Sequence, residues 1–469
     1  MPQGNFITVT TLLQQIGAAP VNYLPIPAIP ADNGVAPFVE AAKKYSSVQA
    51  MLDDGWLETD DAVLTATQVF GQNAFTQTPP TRVVVVNRAV PVAQVEEFTV
   101  NATDDGTYRL YVSINGEAAV EAASFAAVGQ TVTQIKDALI SAFNLGVFAA
   151  LLTAADVDAD SGSVTADVAG VPFILTGDGP NGTADITVAN TTPNSGIYAD
   201  LDAGFAVEKF WAVLPDPAEV EGVMYEVSRW AEASAVEGSE RRNVCLLQTT
   251  DTDITTETEP NFASVLVALN RTRTFPLYHF NTTDKMTGVW FGRYGGQFPG
   301  SRAWHFAQLS GTTVTEDIIY TQTIGDAFKS QRVSWVERDG PAASYPLRIY
   351  WGQGSGGFFV VQKQAEDYWW LRTIQAMVKA LESLTGVNLD DDGIDKLVSA
   401  VNVVNTELGT SDPPVLDLAQ TTVTPVPLDD VPDSEKAVGD YMTTGGINVS
   451  TVLIPKLRSV RVDGFFATA

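Results

Sequence analysis

The residues that could do chemistry in this chain are few. Gly352 to Gly357 read GQGSGG, the G-x-G-x-x-G spacing that in dinucleotide sites lets backbone N–H groups approach a pyrophosphate at a helix N-terminus. The motif follows a plausible strand, but FFVVQ behind it reads as another strand, so a hairpin is expected in place of a cofactor loop. Asn388 to Gly393, NLDDDG, opens like a calcium loop, yet its twelfth position is Ser399 where a bidentate Glu is required. Acids favouring the positive end of a helix account for that run more simply. His279 and His305, the two histidines of the chain, stand in LYHF and AWHF, packed strand settings with no G-x-S-x-G elbow or H-E-x-x-H run beside them. The single cysteine, Cys245, lies in RRNVCLLQTT and reads as a small hydrophobe in a buried strand. Carboxylates are so numerous that no pair stands out as acid and base. The expectation is no catalytic, cofactor-binding or metal site, and no enzyme.

The composition narrows the classes further. With 469 residues, 45% of them hydrophobic, the chain has material for two to four domains. Lys and Arg number 27 against 56 Asp and Glu, a net charge of -29, which removes a phosphate-neutralising surface and with it nucleic acid as a partner. No apolar run approaches the 18 residues of a membrane span, and MPQGNFITVTTLLQQIG lacks a positive leader region. No membrane insertion is expected, and folding is expected in a cytoplasm.

The elements fall into blocks. FITVT at 6 to 10 reads as a short strand, and Pro20, Pro25, Pro27, Pro30 and Pro37 enforce an extended course after it. SSVQAMLDDGW predicts a helix capped by Ser46 or Ser47, TDDAVLTATQVFGQ one opened by Thr59, and TRVVVVNR a buried strand. Residues 96 to 199 change character: 13 acids against two bases, Arg109 and Lys136, in short alternating stretches around one amphipathic helix, TVTQIKDALISAFN. From Phe210 onward FWAVLP, DPAEVEGVMYEVSRWAEA, NVCLLQTT, NFASVLVALNRT and FPLYHF alternate strand and helix, as in a mostly parallel sheet. Two late helices follow, EDYWWLRTIQAMVKALESL and DDGIDKLVSAVNVVNTELG, and then a proline-rich stretch, 411 to 435, that reads as a linker.

The fold class expected is thus a mixed α/β core with an inserted β-rich domain and a strand-tipped arm at each end. The division is 1–30 N-terminal arm, 31–95 with 200–435 discontinuous core, 96–199 inserted surface domain, and 436–469 C-terminal β arm. In the last, Ile447 and Val449, Val452 and Ile454, and Val460 and Val462 recur at period two. Lys456, Arg458 and Arg461 against Asp463 make this arm basic on an acidic body, which favours its donation to a neighbour. A lone terminal hairpin is marginal in water, so Phe6, Ile7 and Val9 with those six C-terminal residues are the expected inter-subunit strand contacts.

The order of blocks carries a resemblance. YSSVQAMLDDGWLETDDAVLTATQVFGQNAFTQTPPTRVVVVNR resembles the opening of the contractile-tail sheath proteins of myophages. TGVWFGRYGGQFPGSRAWHFAQLSGTTVT and the pair YWWLRTIQAMVKALES and DDDGIDKLVSAV are similar to later blocks of that family. Two departures are the Asn388-Leu389-Asp390 segment, where the family often carries a Pro-Tyr-Thr type of sequence, and residues 96 to 199, which match only a habit of carrying variable surface domains. The resemblance implies a structural subunit that forms stacked rings of identical copies around a tail tube protein, with baseplate and tail terminator proteins as further partners. It also implies arms that complete a neighbour's sheet, no cofactor, assembly in the host cytoplasm and a place in the virion tail. Rival readings are another tail component, tube or baseplate, and a nucleotide-dependent enzyme on the central βαβ pattern.

Overall fold

A computed structural model describes residues 7–8, 24–31, 34–72, 79–114, 118–193, 196–234, 241–306, 308–309, 320–339, 346–382, 391–412, 414–431, 433 and 447–450. Mixed α/β architecture with several sheets and 11 α-helices is found among them. The largest sheet has eight strands in the order 347–350, 334–338, 274–278, 244–249, 212–213, 27–30, 83–86, 42–45. Its six inner strands run parallel, and each edge carries one antiparallel strand. Parallel strands covered on both faces are predominantly apolar, and VVVV, VCLLQT and TFPLY are buried at every position, with the polar Gln248, Thr249 and Thr274 toward strand ends.

Helix starts follow local chemistry. Ser47 caps the helix Val48–Asp53 through its hydroxyl, which accepts from the Ala50 N–H at 3.1 Å. Thr131 and Gln134 form a reciprocal capping box on Val132–Phe143, and Asn261 and Ser264 form another on Phe262–Ala268. The helix Asp61–Gly71 begins after Asp60, one residue beyond the expected Thr59. Asp391–Gly409 coincides with its sequence reading.

Three segments differ from expectation. Pro27–Pro30, expected within an extended arm, is a fully buried strand in the middle of the sheet. Its prolines take the first and last positions, where a missing N–H costs an end rung of the ladder and not an inner one. Phe358 to Gln362, expected as strand, runs into the helix Val360–Glu382. Thr422–Pro425, expected as linker, is an edge strand, a place that tolerates Pro425.

Residues 95–192 build two further sheets, of three and four strands, around the helix Val132–Phe143. Their apolar side chains, among them Phe98, Tyr108, Leu110, Leu139, Phe143 and Val164, form a hydrophobic cluster separate from the main core. Val95 and Thr192 are cross-strand partners, so the chain enters and leaves this unit at adjacent positions. Ile197, inside the stretch expected to be inserted, opens the helix Ile197–Val207, whose Ile197, Leu201 and Phe205 bury in the main core.

Candidate assembly surface

Both chain ends meet in a small antiparallel sheet ordered 7–8, 447–450, 422–425. Ile7 stands opposite Val449, which stands opposite Val423; Thr8, Asn448 and Thr424 form the next row. Side chains alternate faces along a strand, so Ile447, opposite Pro425, shares a face with Val423 two residues away. Val423 packs on the main core and Ile447 is buried, which makes that face the inner one. Three of the nine expected strand contacts, Ile7, Ile447 and Val449, are thereby placed in one sheet of a single chain. Phe6, Val9, Val452, Ile454, Val460 and Val462 lie outside the described residues. The sequence reading missed the third strand, whose signal, the β-branched run TTVT, is followed at once by Pro425 and Pro427.

The carboxyl ends of the parallel strands are where an α/β sheet ordinarily binds ligands, at the point where strand order reverses. Here the reversal falls between 27–30 and 212–213. Charges from three elements close it. Lys285, at the start of the helix Met286–Tyr294, is buried with its Nζ 2.6 Å from Asp216 and 2.5 Å from Asp61. Burial pulls the Lys285 pKa down, and the two carboxylates outweigh that, so the net shift is upward. Arg88 pairs with Glu219 beside it. Gln248 donates to the carbonyls of Asn281 and Asp284, both at 2.8 Å, and accepts from the Met286 N–H. These contacts clamp helix to loop. The same helix carries Gly288 and Gly292, where a Cβ would come within 2.9 Å of the Thr65 carbonyl and 2.4 Å of the Val69 carbonyl, so the two helices pack nearly backbone to backbone.

The glycine loop is now preceded by strand and followed by helix, the context a dinucleotide site needs, but its N–H groups are spent inside the chain. Gly352 donates to Ser334 Oγ, Gly354 to the Phe358 carbonyl, Ser355 to Thr274, Gly356 to Arg271 and Gly357 to Gly354. A Cβ on Gly354 would meet the Thr274 carbonyl at 2.5 Å, and one on Gly356 the Thr272 Cα at 2.5 Å. The glycines let the loop lie against the start of strand 274–278.

Beneath that strand Arg273 and Asp367 form a fully buried pair, with Nη1 2.9 Å from Oδ2 and Nη2 2.5 Å from Oδ1. Trp211 Nε1 donates to the same carboxylate at 2.7 Å. Burial works against the Arg273 charge and Asp367 outweighs it, raising the guanidinium pKa. His279 Nε2 lies 2.7 Å from Asp284 Oδ2 and its ring packs on Phe280, while His305 packs on Phe306. Cys245 is fully buried, and burial pushes its thiol up to about 12. Among the described residues no group of three or more His, Cys, Asp or Glu is placed to hold a metal, and no described helix is long and apolar enough to cross a membrane. Asn388 to Asp390 lie outside the described residues.

No family model matches the chain, and no curated protein does. Solved structures do. A chain of the 6-fold symmetrised baseplate of the anti-feeding prophage (AFP) is 10% identical, with 58% of this chain and 72% of that one covered at a TM-score of 0.40. The contracted helical sheath of the same system gives 8%, 99% of both chains and 0.49. The contracted PVC sheath complex of an extracellular contractile injection system gives 7%, 98% of this chain, 95% of that chain and 0.50.

Proposed function

We propose that this chain, which has the fold of a contractile-sheath protein, is the repeating structural subunit of a contractile tail. Copies polymerise as stacked rings around a tube by exchanging terminal strands, and they contract to drive the tube through a host envelope. The observation that carries this reading is the likeness to the PVC sheath complex, which runs through 98% of this chain and is not confined to a common α/β core. The terminal sheet supports it. Residues far apart in sequence, 7–8 and 447–450, complete one sheet by main-chain hydrogen bonds, and such bonds form equally well between chains.

In this account the main core forms the wall around the tube protein, residues 95–192 project from it, and baseplate and terminator proteins cap the stack. The bacteriophage assignment and genome delivery follow from the sequence resemblance; an injection particle would use the same subunit mechanics. Contraction moves subunits as nearly rigid bodies about their arms and releases free energy held in a metastable extended lattice. The closed charge cluster at the sheet's reversal point favours a structural role there over nucleotide binding.

Negative-stain images of concentrated purified protein test the reading. Hollow tubes or stacked rings are expected. A monodisperse monomer across concentration and salt, with a melting temperature that nucleotides raise, would favour the enzyme reading instead.

A further inference from the structure

We infer that the unassembled subunit is self-capped: its own N-terminal strand sits in the seat beside 447–450 that a neighbour's strand takes in the polymer. The inference rests on the strand-exchange reading above and adds a brake to it. The inner strand of the terminal sheet, Ile447–Ser450, has a partner on each side from its own chain, Thr422–Pro425 on one and Ile7–Thr8 on the other. A neighbour's strand therefore cannot join this inner strand by simple addition; it must displace Ile7–Thr8.

The connection makes the exchange possible. Residues 9–23, fifteen in all, link Thr8 to Leu24 near the central sheet, and a segment of that length spans at most about 50 Å. A tether this short holds its strand at an effective concentration on the order of millimolar. Against subunits at micromolar concentration the home strand wins by about a thousandfold. The balance shifts only where other contacts already hold a neighbour equally close, which is the situation at the end of a growing stack and not between free subunits. Free protein is thus slow to nucleate while existing ends still grow.

The full chain carrying Ile7→Cys and Val449→Cys tests this. The two positions are cross-strand partners, a spacing compatible with a disulfide. Cys245 is buried with its thiol held protonated, so it stays out of the exchange. Oxidation of dilute protein should give an intrachain disulfide with no dimer on a non-reducing gel. The locked protein should form at least tenfold less polymer than the reduced protein, and reductant should restore assembly. Equal polymer from locked and reduced protein overturns the inference, because a strand that never leaves home is not displaced by a neighbour's; strand exchange falls with it, and a sheath held together by other contacts remains. Interchain disulfides from dilute protein overturn the self-cap too, because the seat would then be vacant in the free subunit. If the reduced and unmutated proteins form no tubes, the sheath reading fails and the self-cap falls with it.

Discussion

Asp367→Asn should destabilise the core by about 3–5 kcal/mol, the usual cost of stranding one member of a buried ion pair. Both side chains are essentially inaccessible, at 1% and 0% exposure, so water cannot replace the lost partner. Asparagine still accepts from Trp211 Nε1, but its amide N–H groups then face the Arg273 guanidinium, donor against donor. Replacing both partners, Arg273→Met with Asp367→Leu, removes the stranded charge and should cost less than Asp367→Asn alone. What remains is about 1–3 kcal/mol from the unsatisfied Trp211 N–H, since the Asn243 carbonyl that loses Arg273 still accepts from Ser234 Oγ at 3.2 Å. The assay is urea unfolding followed by tryptophan fluorescence. All nine tryptophans lie outside residues 95–192, so the signal reads the main core alone. A loss under about 1 kcal/mol for Asp367→Asn, or a double variant as unstable as the two single losses added, would refute the reasoning.

Burial raises the Asp200 pKa to about 6, above its ordinary 3.8, while the Ala89 N–H and Arg88 pull it down. A raised carboxyl pKa makes the folded state less stable as pH climbs from about 4 through about 6. Asp200→Asn should therefore add about 1–2 kcal/mol at pH 7.5, discounted for partial exposure, and nothing at pH 3.5, as melts at both pH values will report. Replacing residues 96–191 by a short Gly/Ser linker bridges positions that already face each other, since Val95 pairs with Thr192; the fluorescence transition of the core should persist, and its collapse would show that the two cores fold as one. Subunits of net charge -29 repel at close range, so polymer yield by sedimentation should rise between about 0.02 M and about 0.5 M salt, and a fall would mean that specific ion pairs between subunits dominate.

Local chemistry was legible where one segment carried its own signal. The run VVVV, the cap at Ser47 and the periodicity of 391–409 each gave an element that the fold keeps. What was illegible depended on partners distant in sequence. Pro27–Pro30 looks like extended arm until strands 212–213 and 83–86 supply its neighbours, and Thr422–Pro425 looks like linker until 447–450 pairs with it. FFVVQ has strand composition, yet Val360 and Val361 bury as the first turn of a long helix, tertiary packing overriding propensity. Lys285, Asp61 and Asp216 come from three separate elements and carry no spacing that a linear reading could detect. Of the expected strand contacts, Ile7, Ile447 and Val449 fell into one small sheet because strand periodicity survives any choice of partner; whether the partner is the same chain or another is not written in that period.

The most direct test of strand exchange uses two single variants of the full chain, Ile7→Cys and Val449→Cys, mixed before assembly and oxidised afterwards. Cysteines on different chains can meet only if one subunit's N-terminal strand lies against another's C-terminal strand, in the register that pairs Ile7 with Val449. Strand exchange predicts disulfide-linked dimers of the two variants in polymerised protein and none in dilute protein. Polymers that form from the mixture with no such dimers, while the double variant still closes its disulfide within one chain, would show that the strands stay at home and that something else holds the lattice together.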